Sequence, residues 1–286
     1  MTELRRRMDE AMIVRGMADR TREAYLWAVT GLAKGYHRPP DEISDAEVQA
    51  YLLHLIRDRQ RSWSTCNIVV HGLRFFFHET LKRDRTTFCI PTPRQPGTLP
   101  ALLSREEVQR LIAHTTNPKH RTMLLTTYAA GLRLNEVLHL RVEDIDSARM
   151  TIRVDQGKGG RDRYTVLSAR LLEALRAYWT IYHPSIWLFP SPRLQQPMDP
   201  TGLQKVYSAA KRRAGITKSG GIHALRHAFA THLLEAGVDV HTIQRLLGHK
   251  SITTTSRYWH LTHASLTTQA ARLELLDGVP PVSPPA

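Results

Sequence analysis

Cysteine is almost missing from this chain: two occur in 286 residues, Cys66 and Cys89. That excludes a disulfide framework and a cysteine-built zinc site, and it fits a reducing cytoplasm. Long apolar runs are missing too. No stretch approaches the ~20 residues that span a bilayer, and nothing after Met1 reads as a secretory signal, so no membrane partner is expected. Acidic residues are scarce beside basic ones, 26 Asp and Glu against 40 Lys and Arg, which leaves a formal charge of +14 and a pI near 10.2. Most of the excess lies after residue 100, where 24 basic residues face 14 acidic ones. A field of that sign selects a polyanion, and with the membrane set aside the ordinary candidate is nucleic acid. The glycine-rich stretch Gln156-Gly157-Lys158-Gly159-Gly160 lacks the upstream glycine and the Ser/Thr after lysine that a nucleotide-binding loop needs. Internal repeats are also absent.

The length suffices for two domains, each with its own core. Between them lies Pro91 to Pro100, where four prolines in ten residues oppose both helix and sheet and favour an extended spacer, roughly 30 Å long at about 3.1 Å per residue. Residues 1–90 read as four helices. Tyr25, Val29 and Leu32 give one helical stripe, and Ser44-x-x-Glu47 is a capping box opening a helix that turns Val48, Tyr51, Leu52 and Leu55 inward. Over 64–81, Val69, Leu73, Phe76, Phe77 and Leu81 mark a core side, while His71, Arg74 and His78 recur on another face that water or a phosphate backbone would satisfy equally.

Ser104-x-x-Glu107 is a second capping box and opens the second domain, 101–276. A helix over 119–130 should end at Gly131, and strands over 151–154 and 164–167 should form an antiparallel hairpin around the glycine-rich turn. Helices over 169–181 and 200–214 follow, with loop over 184–200; the later one carries Lys205, Lys211, Arg212 and Arg213, a run that suits solvent or phosphate. A short helix over 239–248 closes at Gly248, a last one is expected over 262–276, and the proline-rich 277–286 reads as a disordered tail. The expected fold is mainly α with a small antiparallel β-sheet or hairpin in the second domain.

The densest chemistry lies between Gly221 and His260. On a helix starting near Ile222, Leu225, Phe229 and Leu233 form an apolar stripe, and His223, Arg226 and His227 fall on another face. A guanidinium fork beside an imidazole suits an anionic oxygen, above all a phosphate. His223 and His227 stand four apart like zinc ligands, but Ala224 replaces the glutamate of a zinc protease and Arg226 repels a dication, so no metal is expected. Taken singly, each histidine reads as a helix cap or filler; the combination overturns that.

His223-x-x-Arg226-His227, then Leu246-Leu247-Gly248-His249, then Tyr258 nine residues after that histidine, resembles the catalytic end of the tyrosine recombinases, also called the phage integrase family. Gly131-Leu132-Arg133-x-x-Glu136 resembles that family's first arginine box, and Lys158 matches its hairpin lysine. An Arg–Glu pair at i, i+3 by itself reads as a surface ion pair of small worth. The resemblance, which runs over roughly 1–276, implies an N-terminal helical core-binding (SAM-like) domain and a catalytic domain that clamp DNA from two faces, with His71, Arg74 and His78 on its backbone.

The chemistry the resemblance implies is phosphoryl transfer without metal, nucleotide or other cofactor. Tyr258 would attack a scissile phosphodiester and form a 3′-phosphotyrosyl bond; Arg133 and Arg226 would neutralise the phosphate, with Glu136 in support. His223 would be the general base, His249 a further donor, and Lys158 the acid for the departing 5′-oxygen. Four subunits on two specific duplex sites would exchange strands, as in integration, excision, transposition or dimer resolution, among which the residues do not choose. Two alternatives use overlapping residues: a type IB topoisomerase-like enzyme, and a DNA-binding regulator with an idle site. Supercoil relaxation without any specific site would mark the first, and the complete residue set speaks against the second.

Overall fold

The computed structural model describes residues 2–84, 102–157, 161–191, 196–249 and 251. The linker 91–100, Lys158, Tyr258, the expected last helix over 262–276 and the tail lie outside them. The chain divides into two compact units, Met1–Thr98 and Leu99–Ala286. The described residues are mostly helical with a small three-stranded antiparallel sheet.

In the first unit, helices α1 (Glu3–Val14), α2 (Asp19–Tyr36), α3 (Asp45–Arg57) and α4 (Trp63–Arg74) enclose a core that includes Met12, Leu32, Val48, Val70 and Leu73. The Ser44 capping box forms as its spacing requires: the Ser44 hydroxyl accepts from the Glu47 amide, and the Glu47 carboxylate accepts from the Ser44 amide at 2.9 Å. Beyond α4 the backbone widens into a π-helical segment, Phe75–Thr80, which lets Phe76 and Phe77 both enter the core. Side-chain periodicity carries no trace of that change of pitch. His71 is exposed, Arg74 and His78 are half-buried, and the His78 Nδ1 lies 3.3 Å from the Arg83 carbonyl.

The second unit opens with α5 (Arg105–Ala113), capped by the Ser104–Glu107 box. Helix α6 (Pro118–Ala129) is its central rod and packs against α5, α8 (Ala169–Tyr182), α9 (Pro200–Arg213) and α10 (His223–Glu235). Thr122, Thr126 and Thr127 are buried on α6 because their hydroxyls donate to the carbonyls of Pro118, Thr122 and Met123, four residues back. Each polar group thereby brings its own partner into the core. A five-residue helix, α7 (Leu134–Leu138), then leads to strands β1 (Ile145–Asp146), β2 (Thr151–Gly157) and β3 (Arg161–Val166), antiparallel in that order. The hairpin is thus longer than its β-branched stretches predict, with an irregular register between Val154 and Gly157. Helix α11 (Val240–Leu247) begins where the Asp239 carboxylate accepts from the Thr242 amide and packs Ile243 and Leu247 on Phe229 and Ala230 of α10.

The expectation of two clean faces on α10 needs correction. Eight of its residues are buried, Arg226 among them, because Ala224, Ala228 and Ala230 let neighbours approach on several sides. On the polar face Arg226 is buried, while His223 is exposed and His227 half-buried.

Among the described residues, no helix is long and apolar enough to cross a membrane.

Candidate active site

Arg133 is delivered by a turn that only glycine permits. Gly131 sits at φ +62°, and a β-carbon there would lie 2.4 Å from Cδ1 of Phe229, so both backbone and packing exclude a side chain. Two residues later Arg133 precedes α7, and Glu136 in the first turn folds back on it. The Glu136 carboxylate accepts from the Arg133 amide at 2.7 Å and from its Nη1 at 2.6 Å. This is not the exposed ion pair that the spacing alone suggests, since the Glu136 side chain is 7% exposed. Arg163 of β3 adds a two-pronged contact, Nη1 and Nη2 at 2.8 and 2.7 Å, and Nη1 of Arg226 stands 3.6 Å away. One buried carboxylate is therefore ringed by three guanidiniums.

A buried guanidinium costs several kcal/mol unless it is paired. Arg226, 2% exposed, donates from Nη1 to the Gly131 carbonyl at 2.7 Å and from Nη2 to the Leu247 carbonyl. The same three arginines finish α11, whose last carbonyls have no partners within the helix. Arg163 Nε donates to Leu246 O at 2.9 Å, Arg226 to Leu247 O, and Arg133 Nη2 approaches Gly248 O at 3.4 Å. Gly248 turns into the left-handed region at φ +62°, and a β-carbon on it would strike Cδ of Arg163 at 2.7 Å. The next residue is His249, whose amide donates to Gln244 O and whose carbonyl accepts from Gln244 Nε2, both at 3.1 Å. The corner that presents His249 is thus fixed from α7, β3, α10 and α11 together.

The electrostatics follow from this crowding. Burial alone would raise the Glu136 carboxyl, but the Arg163 fork and then Arg133 outweigh it and hold it near a pKa of about 2. Burial, and after it the charges of Arg226 and Arg133, push the His249 imidazole down to about 4. The same causes lower His223, although its residue surface is exposed; burial, then His223 and Arg226, hold His227 at about 4. The His223 and His227 rings meet edge to face with centroids 5.5 Å apart. With the imidazoles neutral, three guanidiniums against one carboxylate leave a local charge of +2. That matches the two negative charges of a phosphodiester at its five-coordinate stage, and fixed donors of this kind stabilise it without reorganising. Among the described residues, no group of three or more His, Cys, Asp or Glu is placed to hold a metal ion.

The structure brings Arg133, Glu136, His223, Arg226 and His249 to one place. Arg163 joins them and escapes sequence reading because it looks like part of a solvated hairpin. Its one signal is alternation: Arg163 shares the inward side of β3 and its continuation with the buried Thr165 and Leu167, while Asp162, Tyr164 and Val166 are exposed.

The depressed histidines carry a kinetic consequence. The second-order rate constant for cleavage reports the free enzyme. An ordinary histidine base, with a pKa of about 6.5, would halve that rate by pH 6.5. With His223 as the base, burial and the charges of Arg226 and Arg133 should move that midpoint below ~6.5. A midpoint at 6.5 in a pH–rate profile would contradict the site's electrostatics.

Known proteins resemble both units of the chain. The family model described as "Phage integrase family" matches residues 101–265, and "Phage integrase, N-terminal SAM-like domain" matches residues 4–87. "Putative integrase/recombinase y4qK" of Sinorhizobium fredii is 41% identical over 287 residues, covering 100% of this chain and 93% of that protein. "Tyrosine recombinase XerA" of Thermococcus onnurineus is 34% identical over 243 residues, covering 82% and 85%. A solved lambda integrase tetramer bound to a Holliday junction superposes with a TM-score of 0.74 at 19% identity, covering 88% of this chain and 75% of that one. A match across most of both units, at this level of identity, decides the question: the chain belongs to the phage integrase family and is a tyrosine-type site-specific DNA recombinase.

Proposed function

We propose that this recombinase cuts and rejoins double-stranded DNA at a specific site through a 3′-phosphotyrosyl bond to Tyr258, using neither metal nor nucleotide. The observation that carries the reading is the net +2 cluster of Arg133, Arg163, Arg226 and Glu136 beside neutral histidines, which supplies the positive charge a metal would otherwise bring. In this reading the Tyr258 hydroxyl loses its proton to His223 and attacks the phosphorus. Arg133 and Arg226 neutralise the non-bridging oxygens and His249 donates to one of them. Lys158 protonates the departing 5′-oxygen. The phosphotyrosyl bond stores the energy of the broken phosphodiester, so a 5′-hydroxyl reseals it without ATP.

The domains of this reading are the core-binding unit 1–90, the linker 91–100, the catalytic unit 101–276 and the tail 277–286. His71, Arg74 and His78 meet the DNA backbone, and the linker lets the two units clamp opposite faces of the duplex. Four copies act on two synapsed sites in the cytoplasm, in the manner of the lambda integrase tetramer on its junction. The service is to a mobile element or to chromosome resolution.

The test is a nicked suicide duplex carrying DNA from the native genomic neighbourhood, incubated in EDTA. A protein–DNA adduct should form at wild-type yield, with the protein on the 3′-phosphate and a free 5′-hydroxyl opposite. Loss of the adduct in chelator, restored by magnesium or zinc, would overturn the metal-free mechanism.

A further inference from the structure

We propose that Arg163 is a positioning residue: by occupying the Glu136 carboxylate it limits Arg133 to one side-chain contact there and holds Arg226 at ion-pair distance, rather than letting both collapse onto the glutamate. This rests on the phosphate-clamping roles given to Arg133 and Arg226 above.

The geometry shows what Arg163 prevents. Each carboxylate oxygen of Glu136 already accepts one contact from Arg163 and one from Arg133, through side chain or amide. Arg226 is left at 3.6 Å, an ion-pair distance, with its Nη1 donated to Gly131 O instead. Arg163 does not sit where DNA would meet it: its side chain is 9% exposed, its Nε is committed to Leu246 O, and Gly248 packs on its stem. Remove its charge and each Glu136 oxygen loses a donor while the cluster falls from +2 to +1. A buried carboxylate with open acceptor positions draws in the nearest cations, pulling Arg133 further over and Arg226 in from 3.6 Å. A displacement of about an ångström in such groups costs on the order of 10²-fold in rate.

The prediction is a change of sign. At saturating DNA, Arg163→Met should lower the rate of adduct formation about 10²-fold with little change in DNA affinity. Arg163→Lys keeps the charge and should recover most of that loss, which a purely space-filling role does not predict. Glu136→Gln should lower the rate in the wild-type protein, where it strands Arg163. In the Arg163→Met background the same change should raise the rate about tenfold, because the carboxylate that misdirects the arginines is gone. Should Arg163→Met fail to fold by near-ultraviolet dichroism, Arg163→Gln with and without Glu136→Gln makes the same comparison with a polar stem. Glu136→Gln lowering the rate in both backgrounds, or an uncharged Arg163 variant cleaving at the wild-type rate, would overturn the inference. Arg133→Ala separates the levels. If it cleaves normally, the phosphate-clamp reading itself fails; if it is dead while Arg163→Met is unaffected, only the role of Arg163 falls.

Discussion

Tyr258→Phe will bind its DNA site as tightly as the wild type and yield no covalent adduct on a nicked suicide duplex. The substitution removes one oxygen and leaves ring, size and charge in place, so contacts to the DNA are preserved. The hydrogen bonds that tie Arg133, Arg163 and Arg226 to the end of α11 do not involve the oxygen removed. On the proposed mechanism only the nucleophile is lost, and without it the step has no covalent path. The expected result is therefore unchanged gel-shift affinity with no adduct above background. Adduct at wild-type yield would place the nucleophile on another residue.

The second large effect concerns Lys158. A 5′-alkoxide leaves poorly, because the alcohol's pKa is far above neutrality, and a positioned acid is worth roughly 10²–10⁴-fold. Lys158→Ala should lose about that much on ordinary DNA. When the bridging 5′-oxygen is replaced by sulfur, the departing thiolate has a parent pKa near ~8.5 and needs little help. The modified strand should therefore restore cleavage by Lys158→Ala but not by Arg133→Ala or Arg226→Ala, whose proposed task is to neutralise the phosphate. Equal rescue of all three, or none of Lys158→Ala, would remove the acid role from Lys158.

What could be read from the sequence was what lies close along the chain. The boxes at Ser44–Glu47 and Ser104–Glu107 close within four residues, so their hydrogen bonds are written in the spacing. His223, Arg226 and His227 share less than two helical turns, and their grouping was legible for the same reason. The contacts that give those residues their properties are distant. Arg226 reaches a carbonyl 95 residues away at Gly131, and Glu136 meets Arg163 across 27 residues. Nothing in local periodicity marks such pairs, so a pair that looked like a minor surface bridge proved to be the buried hub of the site. The buried threonines of α6 hid its central position because each hydroxyl is satisfied by its own helix. The π-helical segment at Phe75–Thr80 left no mark because its residues would sit equally well in an α-helix.

The three carbonyls at the end of α11, each met by an arginine from a different element, bear on how this segment can vary between related proteins. An added residue advances a helix by about 100° and 1.5 Å. One insertion after Asp239 would swing the acceptors of Leu246, Leu247 and Gly248 away from donors anchored in β3, α10 and the start of α7. Replacement of outward residues such as His241 or Arg245 leaves those acceptors where they are. Divergence here is therefore confined to changes of identity at constant spacing, and gaps in an alignment belong in the loops on either side.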